Sequence, residues 1–378
     1  MLKTQILSIV IVTGFLAAVC SDKARFTGLQ TNAAGIRPAG SMSLERAAHT
    51  ATRLNDGKVL ITGGMKVNGE FHDACEVFDP ATGRFETLPR KLTKKRVSHT
   101  ATRLKDGRVL IAGGWSNRTA PEVSTEIFDP KTGRFSPMAP MTFRRSDHTA
   151  TLLDDGKVLF AGGHDGDKTH DSVDLFDPAT GTFKVIGLLK TPRRIHTATM
   201  LSDGKILIAG GEVKDGEIVA SAEIFDPSKA RSEPLSAKLS FPRYKHDAVA
   251  LKDGRVLIYG GSDARDLAGR LNTAEVFDPR KKSFERVGDL KNARYKVTGT
   301  AVVLGDGRVL IAGGAERAEL FDPKSGQFSL VEGSYGHTYH FASATLLDDG
   351  RALIIGGYRF RSGQGPLATN SAWIFGNG

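Results

Sequence analysis

Cysteine is almost missing from this chain. Its 378 residues include two, Cys20 and Cys75, too few for a disulfide framework to hold the fold together. Helical periodicity is missing as well: after residue 20 no useful length of sequence places apolar residues at helical spacing, which argues against a helical bundle and against a DNA-recognition helix. One long apolar run exists, Ile6–Val19, too short to span a bilayer comfortably. Walker loops, nucleophile elbows and zinc motifs do not occur. Acidic residues fall short of basic ones, 42 against 52, for a net charge of +10. With no arginine-rich stripe, that excess predicts acidic partners such as anionic sugars or lipid headgroups rather than nucleic acid.

Glycine is abundant, and its placement is periodic. Pairs begin at Gly63, Gly113, Gly162, Gly210, Gly260, Gly313 and Gly356, at steps of 50, 49, 48, 50, 53 and 43 residues. A period near fifty marks a repeat architecture in which no unit buries its core alone. Each pair closes a phrase such as Arg96–Gly114, RVSHTATRLKDGRVLIAGG. A second phrase follows, such as Glu126–Phe135, EIFDPKTGRF. Every repeat therefore offers four short strand-like runs. The second is continuously apolar, as in a strand buried on both faces. Asp-Gly forms a tight hairpin between the first two runs, and Asp-Pro-x-Thr-Gly turns the chain between the last two. The glycine pair is expected to let neighbouring backbones approach closely. Four antiparallel strands repeated radially make a seven-bladed, all-β propeller. Its blades begin near residues 44, 94, 143, 191, 241, 294 and 338. The seventh ends at Phe375 without a fourth strand, and residues 25–31, similar to Gly83–Leu88, are expected to supply it by pairing with Ser371–Phe375.

The glycine pairs, the downstream aromatic and the period resemble kelch repeats over nearly all of the chain. Kelch repeats usually carry Trp in the fourth strand; here Phe85, Phe135, Phe183, Phe284 and Phe328 stand there, and Ser232 in repeat four predicts a frayed outer strand. The resemblance implies a binding module, with galactose oxidase and sialic acid mutarotases as enzymatic members of the class. The oxidase copper site uses a tyrosine cross-linked to a cysteine. Cys75 sits at a framework position of a third strand with no matching motif, so no cofactor is expected. Residues 1–19 read as a signal peptide, and Leu16–Cys20 resembles a lipoprotein box in which Cys20 is lipidated. That implies an exported, membrane-anchored monomer of the cell envelope, with plain secretion as the alternative. Removing Lys3 with the signal peptide leaves a net charge of +9.

Three sets of residues are candidates for chemistry. The first is a ring of bases three before each histidine: Arg46, Arg96, Arg145, Arg193 and Arg243, with Lys296 in repeat six. These bases read either as an anion-binding ring or as partners of the acids that open each third strand: Glu76, Glu126, Asp174, Glu223, Glu275 and Glu319. Repeat seven has Tyr339 and Trp373 at the two positions, so base and acid vanish together. This favours structural pairing, because an unpaired buried charge is costly. The second set is the histidines His49, His99, His148, His196 and His246. Their spacing round the ring suits a local role in each blade better than a metal.

The third set is non-repeating. The loops after the glycine pairs vary, whereas the turns on the opposite face are monotonous. Trp115, Arg118, His164, Tyr358 and Arg359, with Tyr335, His337, Tyr339 and His340 of the last connection, are expected to surround the mouth of the channel on the long-loop face. The expected function is binding of an envelope or extracellular protein or carbohydrate, anionic ones included. A small-sugar enzyme using His340, Tyr339 and Glu212, or a structural envelope protein, are the alternatives.

Overall fold

The computed structural model describes residues 34–66, 69–264, 269–361 and 365–376. Cys20, the signal peptide and residues 25–31 lie outside the described residues. In blade one, strands Thr50–Arg53, Val59–Thr62, Cys75–Asp79 and Arg84–Thr87 pair antiparallel in chain order. Five further blades repeat this, starting from Thr100–Arg103, Thr149–Leu152, Thr197–Met200, Asp247–Ala250 and Ala301–Val303. Ser343–Leu346 opens the seventh. The first strands touch one another in a closed cycle, blade seven against blade one, so the seven sheets form a ring around a channel. Each second strand, such as Val109–Ala112, is buried throughout, as a run flanked by two blades must be. The apolar clusters lie between blades: Leu54, Leu60 and Cys75 of blade one pack with Val109, Ile111 and Phe128 of blade two.

The expected N-terminal closure is present, but residues 35–46 make it rather than 25–31. Gly35–Arg46 pairs with Gly365–Gly376, matching Ile36 with Phe375 and Ser41 with Ser371. Ala352–Ile355 occupies the other edge of that strand, so both edges of Ser371–Phe375 are taken. Ile36, nearly fully buried, supplies the apolar anchor against Trp373 and Phe375, and Pro38 sits on the sheet edge, where its missing N–H costs nothing. The frayed strand expected in repeat four is also corrected. Arg231–Pro234 pairs in register with its neighbour, and Ser232 Oγ donates to Glu223 Oε2 at 2.5 Å. In the other complete blades the fourth-strand Phe packs on the third-strand Phe, as in Phe78–Phe85 at 4.8 Å.

Glycine is required where blades meet. A Cβ on Gly63, at φ +62°, would lie 2.5 Å from Arg96 O and 2.8 Å from His99 Cε1 of the next blade. The opposite face is built from Asx turns: Asp79 Oδ1 accepts the Ala81 N–H at 2.9 Å. Its charges are locally matched, as in Arg108–Asp106 at 2.7 Å and Arg351–Asp349 at 2.6 Å.

Candidate functional site at the channel mouth

The repeated bases are buried and paired. Arg46 meets Glu76 at 2.9 Å, Arg96 meets Glu126 at 3.1 Å, Arg145 meets Asp174 at 2.6 Å, Arg193 meets Glu223 at 2.9 Å and Arg243 meets Glu275 at 3.0 Å. Each guanidinium also fastens the backbone. Arg46 Nη1 donates to Gly63 O at 2.6 Å and Ala74 O at 2.8 Å, joining the end of the second strand to the start of the third. The acid's second oxygen holds the incoming connection, as Glu126 Oε2 does by accepting the Thr93 N–H at 2.9 Å. Asp174 is one methylene shorter, and its Oδ2 is left without a partner. With their guanidinium groups engaged inside the blades, these arginines do not form an anion-binding ring in the channel.

Repeat six corrects the sequence reading. Its base is Arg294, which meets Glu319 at 2.9 Å, not Lys296. Arg46 reaches the first glycine of its pair across 17 residues, and Arg294 reaches Gly313 across 19. Two inserted residues thus displaced the alignment, and Val297 occupies the histidine position, lying under Gly314 as His49 lies under Gly64. Blade seven replaces the ion pair with aromatics. Tyr339 packs on Trp373 at 5.1 Å, and Tyr335 meets the same indole edge-on at 5.2 Å. Both tyrosines are buried. This corrects the expectation that they stand at the surface: they fill the volume that Arg and Glu fill elsewhere.

The histidines join blades. His99 Nε2 hydrogen-bonds Thr50 Oγ1 at 3.1 Å and Thr62 Oγ1 at 3.0 Å; His148, His196 and His246 likewise reach Thr100, Thr149 and Thr197, and His49 reaches Ser343 across the ring closure at 2.9 Å. Burial first, then the nearby arginine, lowers His49 and His148 to about 3 and holds the other three well below the ordinary value. Where repeat six lacks its histidine, Asp247 stands in place of the preceding threonine. Its Oδ2 accepts the N–H groups of Thr300 and Ala301, each at 3.0 Å, which secures the two inserted residues. Burial raises Asp247 to about 6.

One position varies inside the constant phrase: the residue just before each histidine. Ala48, Ser98, Asp147, Ile195, Lys245, Lys296 and Phe341 occupy it, all with φ between +52° and +58°. Their backbones bond from blade to blade. The N–H of Ala48 donates to Phe341 O at 3.1 Å, that of Lys296 to Lys245 O at 3.1 Å, and that of Phe341 to Lys296 O at 3.0 Å. All seven are half-buried, and five of them line a cavity of about 400 Å³ at the channel. Left-handed φ is unfavourable for non-glycine residues and worst for β-branched ones such as Ile195. Glycine would relieve that strain, yet no blade uses it; every blade keeps a side chain at the mouth. Variation within an otherwise fixed phrase is the one signal of this ring that the sequence carries.

In six of the seven blades the residue after the glycine pair bridges the residue before the ring position, as Val97 to Trp115, Ser146 to His164, Arg194 to Glu212 and His340 to Tyr358. The expected loop residues fall into this second circle in part. Trp115 is half-buried against His164 at 5.3 Å. His164 is buried and bonds Ser146 Oγ at 2.8 Å and Asp147 Oδ2 at 3.1 Å. Arg118 is exposed and reaches Gly69 O at 3.4 Å. Exposed His337 contacts Arg359. His340 is buried, with Nδ1–H donating to Tyr295 O at 3.1 Å and burial lowering it to about 4. Glu212 is paired with Arg194 at 2.6 Å, so it does not converge with His340 and Tyr339 as an acid–base set.

Blades five to seven concentrate cations and rings at the rim. Lys245 Nζ lies 4.6 Å from the Tyr244 ring and 5.3 Å from that of Tyr295. Lys296 Nζ lies 5.0 Å from the Tyr295 ring, 5.2 Å from Tyr358 and 5.7 Å from Phe360. Lys245 donates to Tyr295 Oη at 3.1 Å and Lys296 to Tyr358 Oη at 2.5 Å. The mouth is therefore asymmetric, with an aromatic, cationic sector facing neutral and acidic positions such as Ser98 and Asp147.

The kelch motif matches residues 96–142 and 248–291. With seven four-stranded blades in a closed ring, the chain is a β-propeller, and two of its segments match the kelch motif. A fungal alcohol oxidase of the AA5 family, solved in complex with copper, has a similar fold: TM-score 0.71, 16% identity, 89% of this chain and 75% of that one covered. No curated protein matches the chain. The described residues do not fit a copper centre. Among the described residues no three His, Cys, Asp or Glu side chains converge as metal ligands, and the Cys75 thiol is buried, pushed up to about 12 by burial.

Proposed function

We propose that this chain is an exported binding module, anchored to a membrane through a lipid on Cys20, that engages an envelope or extracellular carbohydrate or protein with its long-loop face. The ring of seven left-handed residues is the main support for this reading. It is the place where a scaffold of near-identical blades presents a different side chain from each blade, and an asymmetric ligand needs an asymmetric surface. Function on repeat scaffolds concentrates in such variable positions. The platform residues are Trp115 and Phe360, the latter beside Tyr358, which is itself buried rather than at the surface as expected, with Arg118, Lys245 and Lys296 as polar anchors; interface hot spots favour Trp, Tyr and Arg.

A screen of glycans and purified envelope proteins against the mature chain tests the binding claim, and specific hits are expected. Absence of any hit across both classes would favour a structural role. The anchor is tested separately in a bacterial host. Cys20→Ala is expected to move the protein from the membrane to the soluble fraction, and unchanged membrane retention would contradict lipidation there.

A further inference from the structure

The rim sector formed by blades five to seven has a chemistry of its own. Lys245 and Lys296 hold adjacent places in the left-handed ring, linked by the 3.1 Å bond from Lys296 N–H to Lys245 O. They are the two basic members of the seven. Both sit at φ above +50°, where a lysine is strained and a glycine would not be. Their ammonium groups are steered by phenol oxygens and ring faces rather than left to swing in solvent. Tyr244 Oη and Tyr295 Oη lie 3.1 Å apart, extending a line of polar hydrogens along the same wall. Both ammonium groups lie close to the Tyr295 ring, Lys245 at 5.3 Å and Lys296 at 5.0 Å, so two sets of ammonium donors converge on one wall, a chemistry suited to a two-oxygen anion. Immediately beside it Phe360 is half exposed and stands edge-on to Tyr358 at 5.2 Å. An open aromatic face suits the C–H face of a pyranose or a similar flat apolar edge.

We infer that this sector binds a carboxylate carried on a sugar ring, such as a uronic acid residue. The carboxylate sits at Lys245 and Lys296, and the ring lies on Phe360. The net charge of +10 would steer such polyanionic chains toward the protein. The inference rests on the binding-face reading above and adds the ligand class.

The test uses the full-length protein and three probes in ligand-observed NMR titrations: methyl glucuronide, methyl glucoside and acetate. Methyl glucuronide is expected to bind at least tenfold more tightly than either of the others. In the Lys245→Gln/Lys296→Gln protein its advantage over the glucoside should fall to within about twofold, since each lost charge-assisted contact is worth roughly a tenfold change. Lys245→Arg/Lys296→Arg, which keeps the charge, should recover part of it. Phe360→Ala should weaken both sugars alike. Equal binding of glucuronide and glucoside, or an advantage that survives the glutamine substitutions in a protein with unchanged melting temperature, overturns the inference. Glucuronide binding no tighter than acetate overturns the sugar component. If screened ligands still bind at the mouth without charge preference, the binding-face reading stands and the ligand class falls.

Discussion

Acidification from pH 7 to about 4.5 is expected to unfold the propeller cooperatively, with net proton uptake approaching five. His49, His99, His148, His196 and His246 are held neutral between blades, lowered to about 3 or well below the ordinary value. In the unfolded chain they titrate near 6.5. Their contribution to stability is complete above pH 6.5 and is lost as pH falls through the interval down to the folded value. Each pH unit within it costs about 1.4 kcal/mol per histidine. His49 and His148 at pH 4.5 therefore remove roughly 5 kcal/mol between them, and the other three act in the same direction. Asp247 acts in the opposite sense. Burial raises it to about 6, so its contribution is complete below about 3.9 and disappears as pH rises through 6. Its offset is at most roughly 3 kcal/mol, too small to reverse the trend. Circular dichroism across a pH titration, with potentiometric proton counting, reads both quantities. A native spectrum and an unchanged melting temperature at pH 4 would contradict the inter-blade role of the histidines.

Removal of one partner from a buried pair is the second large effect. Glu126→Ala strands the Arg96 guanidinium without its counter-charge and frees the Thr93 N–H that Glu126 also holds. The expected loss is about 3–5 kcal/mol, seen as a fall in melting temperature on the order of 10 °C. Arg96→Met alone is expected to be comparably harmful, because it orphans a buried carboxylate and the carbonyls of Gly113 and Ser124. The double variant should lose distinctly less than the sum of the singles, giving a coupling energy of about 2 kcal/mol or more in a double-mutant cycle. Blade seven already shows that both charges can be replaced together, by Tyr339 and Trp373 packed at 5.1 Å. Strictly additive losses would mean that the two side chains act independently.

The repeated features were legible in the sequence because each blade states them again. The strand count, the turns and the close approach at the glycine pairs all follow from local chemistry present in every repeat. Three of the misplacements share a cause: each falls where repetition breaks. Residues 25–31 imitate a fourth strand in composition, but Ile36 and Pro38 ten residues later make the actual edge. Repeat six carries two extra residues, so counting back 17 from Gly313 lands on Lys296 and passes Arg294. Tyr335 and Tyr339 looked like rim residues because their connection is rich in Gly and His, yet they pack on Trp373 inside the blade. Ring contacts between blades, such as those of Lys296 with Tyr358 and Phe360, join residues about sixty positions apart and leave no local pattern.

The central claim, that recognition belongs to the channel mouth and not to the paired-charge face, is tested most directly by comparing two variants on the same glycan and protein arrays. One carries Arg118→Ala, Lys245→Ala and Phe360→Ala at the mouth. The other carries Lys58→Ala, Lys205→Ala and Arg308→Ala on the opposite face. Both sets are chosen at exposed or half-buried side chains, so melting temperatures are expected to stay within a few degrees of the parent. Loss of at least tenfold in binding by the mouth variant, with the opposite-face variant unchanged, is the predicted result. Equal retention by both, or loss confined to the opposite-face variant, would contradict the account.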